Sequence, residues 1–459
     1  MNLMRKKSIH SILVNAEKNT LKKTLNAFDL IMIGIGCTIG TGIFVVTGIA
    51  AATYAGPAIS ISYLLAAFAC VFAALAYAEL ASMVPVSGSA YTYSYAILGE
   101  FIAWLVGWGL VLEYAIGAAT VAAGWSGYVV GILKTGGIII PDSLALVPAQ
   151  GGIINLPAIF ISLFIGFLLV RGTKESVTLN RILVATKLGV IFLFLIIATP
   201  MIKTENWSDF MPFGIGGVFM GAATVFYAYI GFDAVATAAE ECKNPKRDLP
   251  IGIIASLIIC TILYVAVALV LTGISPYADL NNAEPLARAL RVNGSNIGSA
   301  LVGTGAIAGI TSVLLILIYG QSRIFFVMSR DGLIPSPFSK LHKKYNTPYV
   351  SVIIVSVAVA VISGLLPLKT LSHMTSLGTL FSFIVVSIGV LVLRIKQPNL
   401  VRNFRCPAVY VMVPMSVICC GYLVYNLLLE NGFWFLMWSI LGLIFYFAYS
   451  YRNSPLNKK

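Results

Sequence analysis

Apolar residues in this chain occur in long blocks separated by short polar segments. Each block has about 18 to 25 residues, enough for a helix rising about 1.5 Å per residue to cross a hydrocarbon core of about 30 Å. The blocks lack the polar stripe that a surface helix of a soluble domain shows every three or four residues. The pattern predicts an all-α polytopic membrane protein with about twelve spans, near residues 27–51, 57–81, 100–131, 155–171, 177–201, 214–240, 250–274, 299–328, 349–366, 370–395, 408–429 and 433–451.

The segments between the blocks indicate one domain. They are short, and none is a Pro-rich or Gly/Ser-rich linker, so a single transmembrane domain is expected over residues 25–452. Residues 1–24 carry basic residues but no apolar signal-peptide core and are predicted to form a cytoplasmic N-terminal tail. Residues 453–459 are predicted to form a cytoplasmic C-terminal tail.

Composition and charge agree with a membrane protein. Hydrophobic residues make up 59% of the chain and charged residues 10%, against roughly 45–50% and 25% in soluble domains. The net charge of +13 comes mainly from lysines and arginines in the two tails and in the loops on the same side of the predicted bundle. This asymmetry predicts that both termini face the cytoplasm of a bacterial cell, so the basic charge requires no nucleic-acid partner.

Two blocks contain residues that interrupt a spanning helix. The first combines four glycines with two threonines, and the sixth carries the run YAYIGFD at 227–233; the first set is Gly34, Gly36, Thr38, Gly40, Thr41 and Gly42. Interrupted helices free backbone N–H and C=O groups, which hydrocarbon cannot satisfy and a polar ligand can. N-terminal ends of half-helices attract anions and C-terminal ends attract cations, so two interruptions side by side suit a zwitterion such as an amino acid.

The spacing of the interrupted blocks points to an inverted repeat. They lie five blocks apart, and an odd number of spans inverts the second element relative to the first, as in transporters with a substrate site near the membrane midplane. The alternative is that Gly36 and Gly40 form only a GxxxG helix-packing motif. Four glycines within nine residues, echoed in the sixth block, favour the transporter.

Motifs of enzymes and of cofactor sites are absent from the sequence. Ile39 stands where a dinucleotide fingerprint beginning at Gly34 needs its third glycine, and no Gly-Lys-Ser/Thr occurs. There is no Gly-x-Ser-x-Gly elbow and no HExxH, and the seven cysteines, without metal-ligand spacing, are interpreted as small apolar residues. The sequence therefore predicts neither an enzyme nor a cofactor or metal site.

Two ionisable residues lie deep within predicted spans, where a charge is costly and usually functional. Lys187 has apolar residues three and four positions away on both sides, so its partner is expected on another helix. The alternative for Lys187 is snorkelling to the cytoplasmic interface beside Arg181. Glu113 lies one turn from glycines on both sides and is expected to point into the bundle. Asp233, directly after the second interruption, is expected to cap the following half-helix.

Four stretches resemble a known superfamily. They are 34–44 (GIGCTIGTGIF), 85–93 (PVSGSAYTY), 226–233 (FYAYIGFD) and 319–323 (YGQSR). By these motifs and their order the chain resembles the amino acid-polyamine-organocation transporters and, within them, bacterial homologues of the cationic amino acid transporters. The resemblance implies a LeuT-like fold with five-plus-five inverted repeats, broken first and sixth helices, and two additional C-terminal helices.

The resemblance also implies roles for individual residues. The substrate carboxylate is expected at the first interruption, at Ile39, Gly40, Thr41 and Gly42, and the ammonium at carbonyls of Tyr227, Ala228 and Ile230 in the sixth block. Thr38 and Tyr229 complete the candidate substrate-binding residues, Tyr229 as a gate residue with core packing as the alternative. Independently of the resemblance, the intramembrane position of Glu113 leads us to expect that it shapes the pocket or favours a positively charged substrate group. Lys187 matches a lysine of proton-coupled members, and its expected neighbours are Thr311, Ser312 and a carbonyl near Gly36.

The resulting hypothesis is a secondary active amino acid permease that works by alternating access, coupled to protons rather than to sodium. An exchanger, or a transporter of another small polar solute such as a polyamine or a nucleoside-derived sugar, stays open. A channel or receptor is favoured less, because the irregular backbone is concentrated in two related spans instead of in a ring around a pore. The expected partners are the amino acid substrate, protons and membrane lipid; the sequence does not reveal a small single-span partner protein or which amino acid is carried.

Overall fold

The computed structural model describes residues 5–6, 23–84, 89–172, 177–345 and 347–456. These residues form helices and loops, with one isolated bridge between Leu25 and Cys242. The first four residues of the 85–93 motif, most of the predicted N-terminal tail at 1–24, and residues 457–459 of the predicted C-terminal tail lie outside the described residues.

The α-helices are interrupted by short 3-10 and π-helical turns. The longer α-helices are α1 (Ala27–Thr38), α2 (Ile59–Met83), α3 (Ser89–Ile97), α4 (Glu100–Thr135), α5 (Leu156–Arg171), α6 (Val177–Ala198), α7 (Gly214–Val225), α8 (Pro245–Ile274), α9 (Pro285–Val292), α10 (Asn296–Arg330), α11 (Tyr349–Leu365), α12 (Leu368–Lys396) and α13 (Val409–Phe445). Short α-helices are Thr47–Ala50, Asp142–Ala145 and Tyr451–Asn453; π-helical turns are Gly42–Val46, Ala51–Ala55 and Tyr446–Ser450. The 3-10 segments are Gly56–Ala58, Pro148–Gln150, Thr199–Met201, Thr204–Trp207, Phe226–Tyr229, Phe232–Glu241, Tyr277–Leu280 and Ser336–Ser339.

Many of these helices have the length and composition of membrane spans. Within the described residues, eight continuous helical stretches are long and apolar enough to cross a membrane, and α1, α5 and α11 are shorter apolar helices. Three of the eight stretches are interrupted, at Gly56 (φ +59°), at Gly231 (φ +120°) and at Asn431 (φ −126°, ψ 15°). The prediction of an all-α, polytopic membrane protein is therefore confirmed.

The predicted block limits lie mostly within a helical turn of the observed ones. The start of α8 is an exception, because the helix begins at Pro245 and not near residue 250. Proline is compatible with the first helical turn, where its missing N–H needs no partner, so the proline marks the start of the helix.

Small residues allow the central helices to approach one another. Helix α4 packs against α10 and α12, and α2 packs against α8. A Cβ atom at Gly378 of α12 would lie 2.9 Å from the carbonyl oxygen of Gly109 in α4, and one at Gly305 of α10 would lie 2.0 Å from Val190 of α6. Close packing of this kind stabilises helix association in lipid, where burying apolar side chains brings little gain.

Two buried carboxylates bind arginines near the ends of helices. Glu79, near the end of α2, accepts two hydrogen bonds of 2.8 Å from Arg394, one of 3.2 Å from Arg402 and one of 2.8 Å from the backbone of Cys406. Burial raises the pKa of the Cys406 thiol, in the loop after α12, to about 11, so this thiol stays protonated at neutral pH. Glu100, at the start of α4, similarly accepts a hydrogen bond of 3.1 Å from Arg5.

Candidate functional site

The first interruption follows α1. Residue Ile39 leaves the helical conformation with φ −77° and ψ 106°, and the chain resumes helical structure in the π-helical turn Gly42–Val46. This is the glycine- and threonine-rich run in which the sequence predicted a broken helix. Carbonyls at the end of α1 and N–H groups at the start of the next turn are thereby left without intrahelical partners.

The second interruption follows α7. The chain passes through the 3-10 turn Phe226–Tyr229, extends at Ile230 (φ −61°, ψ 127°) and reverses at Gly231 (φ +120°, ψ −17°) before the 3-10 helix Phe232–Glu241. A φ of +120° is accessible to glycine and strained for other residues. A side chain at Gly231 would also meet the backbone of Cys37, because its Cβ would lie 2.8 Å from the Cys37 carbonyl carbon.

The two interruptions touch. A Cβ atom at Gly42 would lie 2.5 Å from the Cα atom of Ala228, so glycine is required for this approach. The hydroxyl of Tyr264, on α8, lies 3.0 Å from the Thr38 carbonyl oxygen and 2.7 Å from the Ala228 carbonyl oxygen, and its single hydrogen is shared between them. The sequence analysis did not identify Tyr264, although a single tyrosine within an otherwise aliphatic block could have pointed to it.

A small cavity lies beside this junction. Its volume is about 20 Å³, enough for about one water molecule. The surrounding helices must therefore part before a larger solute can enter. The cavity is lined by residues of both interruptions and of α4, α10 and α12: Cys37, Thr38, Gly40, Thr41, Gly42, Glu113, Gly117, Val121, Tyr227, Ile230, Val313, Leu317 and Thr375.

Seven of the residues predicted to bind substrate line the cavity, and three others do not. Ile39 is fully buried beside it, and the backbone of Ala228 lies against Gly42. The ring of Tyr229 packs against Tyr63 and Tyr264, and its hydroxyl donates a 3.0 Å hydrogen bond to the Tyr63 carbonyl. The Tyr229 side chain is therefore directed away from the cavity, because its 3-10 turn rotates it toward α2.

The lining has a polar part and an apolar part. Within the described residues, the Thr38 hydroxyl and the Oε2 atom of Glu113 are buried and have no hydrogen-bond partner, although both residues line the cavity. Buried polar atoms are nearly always paired, so these two atoms are available to a polar ligand. Val313 and Leu317, one turn apart on α10, form an apolar wall. Sequence reasoning missed this wall, which lies directly after the predicted Thr311 and Ser312.

Lys187 is buried close to the first interruption. Its side chain is 1% exposed, its Nζ donates a 2.6 Å hydrogen bond to the Gly36 carbonyl oxygen, and its stem packs on Gly309 of α10. The alternative of snorkelling to the interface is therefore wrong. The Thr311 hydroxyl accepts a hydrogen bond from Trp125, and that of Ser312 donates to the Gly309 carbonyl. These two hydroxyls lie on the helix that Lys187 contacts, but each is bonded elsewhere.

Comparison with known proteins now assigns the family. A family model described as amino acid permease matches residues 25–448. The chain belongs to the amino acid permease family. The resemblance to the amino acid-polyamine-organocation superfamily is thereby confirmed, and the family is one of transporters, not of enzymes.

Relatives of this permease differ in the solutes that their names give. The chain is 46% identical over 459 residues, covering 100% of both proteins, to a methylthioribose transporter of Bacillus subtilis. It is 47% identical over 463 residues to the branched-chain amino acid permease BcaP of the same organism, covering 100% of this chain and 99% of that protein. It is 38% identical over 409 residues to the vacuolar cationic amino acid transporter 4 of Arabidopsis thaliana, covering 87% of this chain and 68% of that protein.

Proposed function

We propose that this permease is a secondary active transporter of amino acids, in which the zwitterionic substrate binds at the junction of the two interruptions. The observation that carries the proposal is the cavity beside that junction, with the unpartnered Thr38 hydroxyl and Glu113 carboxylate oxygen in its lining. The full-length similarity to BcaP supports an amino acid as the solute.

The polarity of the helix ends sets the orientation of the substrate. The turn that begins at Gly42 presents backbone N–H groups, which favour the substrate carboxylate. The end of α1 and the turn Phe226–Tyr229 present carbonyls, which favour the ammonium group. The carboxyl group of Glu113 can pair with a cationic substrate group, and the apolar wall of Val313 and Leu317 accommodates aliphatic carbon.

Alternating access in a LeuT-like arrangement is the mechanism that fits this geometry. The twelve predicted spans, with a five-plus-five repeat, both termini in the cytoplasm and the protein in the bacterial cell membrane, belong to this proposal. The bent stretch 409–453 is 45 residues long, roughly twice the 20 residues that one crossing needs, and this length supports two crossings. The bent stretch 42–83 contains the second half of the broken first span and the whole of the second span.

Lys187 is proposed as the site of proton coupling. Protonated, its ammonium group holds the Gly36 carbonyl at the end of α1 through the 2.6 Å hydrogen bond. A neutral amine makes a weaker bond to that carbonyl, so loss of the proton favours movement of α1. Lys187 thus links a protonation change to the helix that carries the substrate site, as coupling requires.

A neutral thio-sugar is the second candidate substrate, because the methylthioribose transporter of B. subtilis is similar over its full length. Such a solute would hydrogen-bond to the Thr38 and Thr41 hydroxyls and contact the apolar wall. It has no carboxylate for the N–H groups at Gly42 and no ammonium group for the carbonyls at the helix ends. An exchanger mechanism also stays open, since the same site serves exchange and symport.

Uptake by purified permease in proteoliposomes tests the proposal. The panel comprises radiolabelled leucine, lysine, glutamate and methylthioribose, each with an imposed proton gradient, an imposed sodium gradient, or unlabelled solute inside. We expect saturable uptake of leucine or lysine that an inward proton gradient drives and a sodium gradient does not. Uptake of methylthioribose alone would overturn the amino acid proposal, and uptake seen only with internal solute would identify an exchanger.

A further inference from the structure

We propose that His373 is the centre of a clamp that closes the outer side of the substrate cavity. The clamp, here called the outer cluster, consists of Tyr54, Thr224, Lys369, His373, Glu430 and Asn431. It joins the helical stretch that begins at Gly42, helices α7 and α12, and the bend in α13. In the proposed topology these elements meet on the external side of the cavity.

His373 is fully buried, and both of its ring nitrogens are engaged. Nε2 lies 3.1 Å from the Thr224 hydroxyl, and Nδ1 lies 2.9 Å from the Asn431 amide nitrogen. The Thr224 hydroxyl donates its hydrogen to the Met220 carbonyl at 2.9 Å. Nε2 therefore donates to Thr224 while Nδ1 accepts from Asn431, an arrangement that a neutral ring with its hydrogen on Nε2 satisfies.

A charged layer lies next to the ring. Glu430 accepts hydrogen bonds of 2.7 and 2.8 Å from the Tyr54 hydroxyl, and its Oε2 lies 3.1 Å from Lys369 Nζ and 3.6 Å from His373 Nδ1. Lys369 Nζ also lies 4.8 Å from the centre of the Tyr54 ring. The titratable and charged groups that face His373 are thus Tyr54 from the first helical stretch, Glu430 from α13 and Lys369 from its own helix, with the neutral Thr224 and Asn431 completing the shell.

The outer cluster connects three elements whose residues line the cavity. His373 lies two residues before Thr375, and Thr224 lies three residues before Tyr227; both of these neighbours line the cavity. Tyr54 lies in the π-helical turn Ala51–Ala55, directly before the bend at Gly56 in the stretch 42–83, which begins with the lining residue Gly42. Asn431 is the non-helical residue of α13, so the clamp is anchored at a bend.

A clamp of this kind biases the transport cycle. Opening the cavity on the side of the outer cluster requires α7 and α12 to separate, which breaks the bond between Thr224 and His373. An interaction that exists in the closed conformation and is lost in the open one shifts the equilibrium between them toward the closed conformation. The size of the shift is the free energy of that interaction. His373 therefore acts as a positioning residue that favours the outwardly closed conformation.

Labelling of Cys37 from each face of the membrane tests the clamp. Cys37 lines the cavity, so it is kept as the single cysteine while the other six are replaced by serine or alanine. A membrane-impermeant maleimide is applied to intact cells and to inside-out vesicles. In His373→Leu we expect labelling to become about fivefold faster from outside and slower from inside. This is the change in the population of the outwardly open conformation that follows when the closed conformation loses one ordinary hydrogen bond.

Two further variants separate the clamp from a purely structural role. Thr224→Val keeps the side-chain volume and removes the partner of His373 Nε2, so it should change both rates in the same directions even if His373→Leu fails to insert. Thr304→Val, the same change at an exposed position of α10, and His342→Leu, outside the cluster, should leave both rates unchanged.

Faster labelling from both faces would mean general loosening of the bundle and would overturn the clamp. Unchanged labelling rates in Thr224→Val, or slower labelling from outside with faster labelling from inside, would also overturn it. The inference takes alternating access from the proposed function. Its readout needs no substrate, however, so the clamp and the amino acid proposal fail independently.

Discussion

Tyr264 connects the two interruptions through a single hydroxyl group. It lies within hydrogen-bonding distance of the Thr38 and Ala228 carbonyls, one from each interruption. These carbonyls lie where the helices are unwound, so neither receives a full set of backbone hydrogen bonds. The geometry of the site therefore depends on a residue that does not line the cavity.

Replacing Tyr264 with phenylalanine should weaken substrate binding without preventing insertion. Leaving a buried acceptor unpaired costs about 1–3 kcal/mol, so we expect the Kd for the best substrate of the uptake panel to rise roughly tenfold. Scintillation proximity binding to detergent-purified protein measures this change. Tyr425→Phe, at an exposed position of α13, is the control, and equal Kd values for Tyr264→Phe and the wild type would show that the shared hydroxyl has no role in the site.

Glu113 should influence selectivity, because its Oε2 atom is unpartnered in the cavity lining. Glu113→Gln keeps the size of the side chain and removes its charge. We expect the ratio of the Kd values for lysine and leucine to shift toward leucine by about tenfold, which corresponds to about 1.4 kcal/mol. Competition binding measures both values, with the exposed Glu205→Gln as control. An equal loss for both amino acids would make Glu113 a contact for the shared ammonium group or a structural residue.

At the scale of elements, the site exists because two irregular segments approach within contact distance. Gly42 and Gly231 make this approach possible for different reasons. Gly42 has an ordinary conformation but lies against the backbone of Ala228, whereas Gly231 also needs a φ of +120°. Backbone atoms cannot yield as a flexible side chain does, so these two positions accept little change.

Gly42→Ala should separate the interruptions and abolish binding. The added Cβ would lie 2.5 Å from the Ala228 Cα atom, and the resulting shift displaces the N–H groups proposed to hold the carboxylate. Gly189→Ala adds the same methyl group to α6, where no atom lies within 4 Å, and should bind as the wild type does. Both variants should insert and purify as monodisperse protein. Wild-type affinity in Gly42→Ala would contradict the proposed site.

The sequence predicted those features that the membrane itself imposes. Hydrocarbon demands long apolar helices and leaves glycine-rich interruptions to be explained by function, so the helices and the two breaks could be predicted. The partner of Lys187 near Gly36 was implied by the resemblance to the transporter superfamily, whereas the buried position of Lys187 predicted only a partner on another helix. The rotation of each helix depends on its packing. For this reason the sequence did not reveal that Tyr229 faces Tyr63, that Val313 and Leu317 form an apolar wall, or that Tyr264 bridges the interruptions.

At the scale of the whole molecule, the cavity is too small for an amino acid, so entry requires helices to move. Two sets of contacts restrain that movement from opposite sides. Lys187 binds the end of α1 near the first interruption, and the outer cluster around His373 joins α7 and α12. In the proposed cycle, proton binding at Lys187 and opening of the outer cluster belong to different steps, so variants at the two sites should affect different measurements.

The central claim is that Lys187 couples protons to amino acid movement through α1. Lys187→Met keeps most of the apolar stem that packs on Gly309 and removes the ammonium group that binds the Gly36 carbonyl. The direct measurement is accumulation of labelled substrate in proteoliposomes with an inward proton gradient, compared among Lys187→Met, wild type and Lys203→Met, a control outside the long spanning helices. We expect Lys187→Met to bind substrate but not to concentrate it, while the control behaves as wild type. Proton-driven accumulation by Lys187→Met at the wild-type level would contradict the account.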